Sequence, residues 1–144
     1  MNKMKIVRNF ISTKKHMVVS TSDKNGNPEA ALVGFAVADD LSLVFGTNRK
    51  TRKFINIQNN PHTAIVFGSD EGITVQYEGI VSVLIAQELE KYKKIYFEKS
   101  PGARKYEEDV DQVYLKVKPK WIRYTNYTVA PAEIFEMNLD TKLI

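Results

Sequence analysis

Cysteine is absent from the 144 residues. That excludes disulfides, thiolate metal sites, iron–sulfur clusters and a cysteine nucleophile. Histidine is scarce: His16 and His62 are the only two. They stand far apart and neither has a partner at ligand spacing, so structural or surface roles are expected and no metal site is. Ser12, Ser20 and Ser22 lie in no hydrolase elbow, and the glycines build no nucleotide-cradling loop. No apolar run approaches the ~18 residues of a transmembrane helix. The segment from Met1 to Ile6 lacks the apolar core and cleavage site of a signal peptide. These absences lead to the expectation of a cytoplasmic protein with no membrane partner.

What is present is ordinary in bulk, with 43% hydrophobic and 26% charged residues. The length fits a single domain over residues 1–144. A net charge of +4 is modest, but the cations cluster. One cluster is Lys3, Lys5, Arg8, Lys14 and Lys15; the other is Arg49, Lys50, Arg52 and Lys53. The second follows the apolar run Leu41 to Phe45 and the turn Gly46-Thr47-Asn48, then leads into the helical spacing of Phe54 and Ile57. Free N–H groups and the positive dipole end at a helix start favour an anion. Arg and Lys added there suit a phosphate. Cations otherwise sit slightly unfavourably in a first turn, so a solvated basic helix end is the competing reading. A nucleic-acid-binding barrel is disfavoured, because no aromatic is interleaved among these cations as a stacking platform requires.

Periodicity predicts helices over 4–13, 50–59 and 87–97. It predicts strands over 17–21, 29–38, 41–46, 62–67, 73–85, 113–124 and 132–137. The run Asp23-Lys24-Asn25-Gly26-Asn27-Pro28 is a hairpin turn. The 29–38 segment is almost continuously apolar, which predicts burial on both faces. Hairpin-linked strands with helices at the connections point to a mainly β (α+β) antiparallel barrel rather than to βαβ units.

Four motifs in this order resemble the pyridoxamine 5′-phosphate oxidase-like superfamily of FMN-binding split barrels. They are the Asn25-Gly26 turn with Ala30-Ala31-Leu32-Val33-Gly34-Phe35, Phe45-Gly46-Thr47-Asn48 with Thr51-Arg52-Lys53, Asn60-Pro61 with Val75-Gln76-Tyr77-Glu78-Gly79, and Val117-Lys118-Pro119-Lys120-Trp121-Ile122-Arg123-Tyr124. The resemblance covers about residues 4–137. It implies a six-stranded antiparallel split β-barrel with peripheral helices, FMN as cofactor, and a homodimer with the cofactor at its interface. Arg52 and Lys53 then match phosphate ligands, with Thr51 donating its hydroxyl and N–H beside them. Thr47 and Asn48 match residues beside the ribityl chain and ring. Leu32, Val33 and Gly34 match a backbone ledge for the ring, and Thr74 and Gln76 a flavin-contacting strand. Trp121, Tyr124 and Tyr127 are candidate walls of a substrate pocket, but packing in the core and dimer seam is the favoured reading.

The implied activity is that of a flavin-dependent oxidoreductase, a reductase of some small molecule with NAD(P)H as donor. A non-catalytic flavin- or haem-binding protein of the same fold is the alternative. The sequence also departs from the oxidases. Ala31 and Ala36 stand where they carry Arg and Lys, and Thr125 stands at their late tryptophan. Pyridoxamine phosphate is therefore not the expected substrate. A pocket suited to a planar, apolar molecule is expected instead.

Overall fold

The computed structural model describes residues 1–68 and 70–139. Its first elements are α1 (Lys3–Ser12), β1 (His16–Ser22), β2 (Pro28–Gly34), β3 (Ala36–Val37) and β4 (Leu43–Asn48). Then come α2 (Arg52–Asn59), β5 (His62–Gly68), β6 (Ile73–Val83) and α3 (Ala86–Lys99). A 3-10 turn (Pro101–Tyr106), β7 (Gln112–Asn126) and β8 (Glu133–Asn138) follow. All strands join one antiparallel sheet in the order β2-β1-β5-β6-β7-β4-β3. β7 gives one edge to β6 and divides the other between β4, over Gln112–Val117, and β8, over Trp121–Asn126.

Eight strands stand where six were expected. The 29–38 segment is two strands, broken at Phe35. Its ring turns inward onto Phe67, with centroids 5.0 Å apart. Before the break β2 pairs with β1; after it β3 pairs with β4, at the opposite end of the sheet. The chain thus bridges the two ends, which is the split of the barrel. Burial of this segment on both faces is not found. β2 is an edge strand, and Leu32 is 68% exposed.

Alternation decides the core. Met17, Val19, Leu43, Phe45, Ile65, Phe67, Val75, Tyr77, Leu115 and Val117 point inward, and α1 closes one end with Val7, Phe10 and Ile11. Each such side chain contributes ~1.5–3 kcal/mol on burial, and together they leave no room for a ligand inside. α3 covers the outside of the sheet, where Tyr92, Tyr96 and Phe97 pack on Ala36, Val44 and Tyr114. Tyr77 stabilises a costly turn: Leu41 is buried at φ 69, a left-handed conformation that its branched side chain disfavours. The Tyr77 hydroxyl donates to Leu41 O at 2.8 Å and shares that hydrogen with Val117 O at 3.2 Å. At the β1–β2 hairpin, Asp23 accepts from Asn25 N and Asn27 N, and Gly26 takes φ +83. No helix among the described residues is long and apolar enough to cross a membrane.

Candidate functional site

α2 begins at Arg52, and Thr51 caps it. The Thr51 hydroxyl donates to Asn48 O at 2.9 Å and accepts from Phe54 N at 3.4 Å. Its single hydrogen is spent, so the hydroxyl of Thr47, 3.1 Å away, is the donor in the Thr47–Thr51 pair. Thr51 N also donates to Asn48 O, at 3.1 Å. Both expected Thr51 donors thus shape the cap and are not offered to a ligand. Asn48 acts likewise: its Oδ1 accepts from Lys50 N at 2.9 Å and closes the turn. The N–H groups of Arg52 and Lys53 are first-turn donors with no acceptor inside the helix.

These residues rim a cradle of about 400 Å³ lined by Thr21, Glu29, Ala31, Thr51, Arg52 and Lys53. Lys53 is half-buried, and burial lowers its pKa. Among the described residues no carboxylate lies within ion-pair distance of it. A partly desolvated ammonium without a counter-ion fits an anion. Of the other cations, Lys50 pairs with Asp111 at 3.3 Å, and Arg52 Nη1 with Glu29 Oε2 at 2.9 Å. Glu29 was not singled out in the sequence, yet its other oxygen accepts from Asn56 Nδ2 at 2.7 Å. Asn56, buried, also donates to Thr21 Oγ1 at 3.0 Å.

From Ala31 the free edge of β2 runs past Leu32 and Val33 to Gly34, three residues or about 10 Å. Its second side has no strand partner, so its N–H and C=O groups are open to a ligand. Thr74 and Gln76 are not on this ledge. They face outward on β6, three strand spacings or about 14 Å away. Gln76 belongs to a row across the outer face, Leu32–Val18–Val66–Gln76–Arg123–Glu136. Thr74 pairs directly with Thr125, so the positions matching the oxidases' glutamine and late tryptophan are cross-strand neighbours.

At Gly34 the ledge meets a cavity of about 380 Å³ lined by Lys15, His16, Tyr96, Lys99, Lys105 and Tyr106, with no carboxylate in its wall. Lys99 Nζ is buried without a hydrogen-bond partner and lies 3.5 Å from the Phe35 ring centroid. Burial lowers its pKa to about 8. No motif marked these residues, because β1, β2, α3 and the 3-10 turn deliver them from distant parts of the chain. His16, expected to be structural or on the surface, is paired with Gly34 at this place. Lys99 sits beside Phe35, next to Ala36. It sets a cation near Ala36, the position where the oxidases carry a lysine.

The three aromatic candidates are not brought together. Tyr124 is in the core, stacked on Phe135 at 5.0 Å and edge-on to Phe10 at 6.3 Å. This corrects its placement in a pocket: along β7, residue 124 points opposite to residue 121. Trp121 walls a separate cleft of about 590 Å³ on the outer face with Ser20, His62 and Glu78. Its Nε1 donates to Glu136 at 3.0 Å. Tyr127 is 71% exposed in the loop after β7.

The pattern of a known family, pyridoxamine 5′-phosphate oxidase, matches residues 4–126. A pyridoxine/pyridoxamine 5′-phosphate oxidase of Serratia proteamaculans is 43% identical over 51 residues, 35% of this chain and 24% of that protein. This chain therefore spans about a quarter of that relative. A heme-binding protein from Mycobacterium smegmatis superposes with TM-score 0.82 at 15% identity, over 94% of this chain and 57% of that one. General stress protein 26 of Bacillus anthracis gives 0.72 at 22%, over 95% of this chain and all of the other. These two likenesses concern the fold. Because the family pattern runs from α1 to the end of β7, the chain belongs to the pyridoxamine 5′-phosphate oxidase family.

Proposed function

We propose that the protein binds FMN, with the phosphate in the α2 cradle and the ring along the free edge of β2 toward Gly34. The observation that carries this reading is Lys53, half-buried at a helix start with no carboxylate within ion-pair distance among the described residues. Bound FMN supplies hydride acceptance at N5, so no general base is needed in the wall. This chain's part is to hold the phosphate at Arg52 and Lys53, to align the ring on the backbone of Leu32–Gly34, and to bind a substrate beside it. The cavity at Gly34 suits a molecule with an anionic group, held by Lys15, Lys99 and Lys105. That replaces the expected planar apolar substrate. The reaction is oxidoreduction of such a small molecule, with NAD(P)H as the electron donor.

A homodimer belongs to the same reading. Leu32 and Val66 leave an apolar strip on the outer face, 68% and 43% exposed. Thr74 and Gln76 reach a flavin only if a second copy lays this face over the first copy's β2 edge. A two-fold arrangement forms two such grooves at once.

Haem in the same groove is a second reading, favoured by His16, which pairs with Gly34 across β1 and β2 and lines the cavity there. The visible absorption spectrum of the purified protein, with FMN and separately with haem added in equimolar amount, decides between them. The FMN reading expects a flavin spectrum perturbed by the protein and haem left in its free form. A sharpened haem band that is lost on His16→Ala would replace it with the second reading.

A further inference from the structure

We infer that Glu29 is a positioning residue for the cofactor phosphate, acting through Arg52; this rests on the FMN reading. Arg52 opens α2, and its side chain is 77% accessible. An arginine so placed ordinarily samples many rotamers and loses that freedom on binding, at a cost of ~0.5–1.5 kcal/mol. Here the choice is made beforehand. Glu29 Oε2 takes Nη1 at 2.9 Å, a one-point contact that leaves the Nε–Nη2 edge of the guanidinium for phosphate oxygens.

Glu29 is itself fixed. Its side chain is only 20% accessible, and its Oε1 is held at 2.7 Å by Asn56, whose amide is held at 3.0 Å by Thr21. Asn56 is four residues after Arg52, one turn along the same face of α2. β1, β2 and α2 thus converge in one chain of contacts, Thr21–Asn56–Glu29–Arg52, ending at the cradle. A carboxylate among the residues lining an anion site is otherwise unfavourable. It is tolerable because Arg52 stands between it and the place of the phosphate, and Asn56 satisfies its far oxygen.

The test measures flavin-fluorescence quenching by FMN and by riboflavin, which lacks the phosphate. The proteins are wild type, Glu29→Ala, Glu29→Gln, Arg52→Ala and the double variant Glu29→Ala/Arg52→Ala, each checked for folding by its melting curve. Glu29→Ala is expected to weaken FMN a few-fold to about tenfold and leave riboflavin unchanged. Glu29→Gln, which keeps an oxygen for Arg52, is expected to recover part of the loss. The double variant is expected to be no weaker than Arg52→Ala, because Glu29 works only through that residue. FMN binding that is unchanged or tighter in Glu29→Ala overturns the positioning role while the FMN reading stands. Additive losses overturn it too. A wild-type protein that binds no FMN overturns both.

Discussion

Removing Arg52 and Lys53 together isolates the phosphate from the rest of the flavin. A charge-assisted hydrogen bond contributes ~1.5–3 kcal/mol. Lys53 belongs in the upper half of that range, because it is half-buried and no carboxylate competes for it among the described residues. Arg52 belongs in the lower half, since its side chain is 77% accessible and already shared with Glu29. The first-turn N–H groups and helix dipole persist in the variant and retain ~0.3–1 kcal/mol. The expected loss in Arg52→Ala/Lys53→Ala is the sum of the two side-chain contributions, about 4–5 kcal/mol, or about three to four decades in Kd. Titration of flavin fluorescence with FMN reads it, and riboflavin on the same variant is the control. Wild-type affinity for FMN in a folded double variant would refute the phosphate assignment, even if flavin still bound elsewhere.

If the proposed dimer forms through the outer face, Leu32→Lys should leave the protein monomeric by sedimentation equilibrium and weaken FMN with it; a dimer that persists in the variant would remove this face from the interface. Lys99→Met should raise stability at pH 7 by about 1 kcal/mol after discounting for solvent screening and for the lost contact with the Phe35 ring, because a desolvated ammonium without a hydrogen-bond partner is removed. Its folded pKa of about 8 lies below the ordinary lysine value of 10.5, so the unfolded chain binds more protons between them and wild-type stability rises with pH through that window. The gap between Lys99→Met and wild type in urea denaturation should therefore shrink from pH 8 to 10, and a constant gap contradicts this. Binding of an anionic ligand in the Gly34 cavity should weaken as pH rises past about 8, where Lys99 loses its proton. Tyr77→Phe should cost about 1–3 kcal/mol in the same assay, since it strips the donor from the buried Leu41 and Val117 carbonyls; a loss under ~0.5 kcal/mol would show that the Leu41 turn holds without it.

Much of this fold was legible because its signals are local. The start of α2 is announced by a turn and the spacing of Phe54 and Ile57, although the capping role of Thr51 was not read from them. The hairpin is announced by Asp23 and Gly26. The break at Phe35 was not legible: one more apolar residue in an apolar run carries no mark of a strand changing partners. Continuous hydrophobicity was also misleading for β2. It describes an edge strand with Leu32 on its exposed face, not burial within one chain. The misplacement of Tyr124 was avoidable, since an odd separation along a strand puts it on the face opposite Trp121. Glu29, His16 and Lys99 had no such signal. Glu29 meets Arg52 across 23 residues of chain, and Lys99 reaches Phe35 across 64. Only the closed sheet brings them together, so pairs of this kind become visible with the tertiary structure alone.

The account turns on recognition of a phosphate, and FMN differs from riboflavin by that group alone. Side-by-side titration of the wild-type protein with the two, by fluorescence quenching at neutral pH, tests it most directly. FMN is expected to bind at least about a hundredfold more tightly, from two charge-assisted contacts. Millimolar inorganic phosphate is expected to compete with FMN but not with riboflavin. Equal affinity for FMN and riboflavin, insensitive to phosphate, would contradict it.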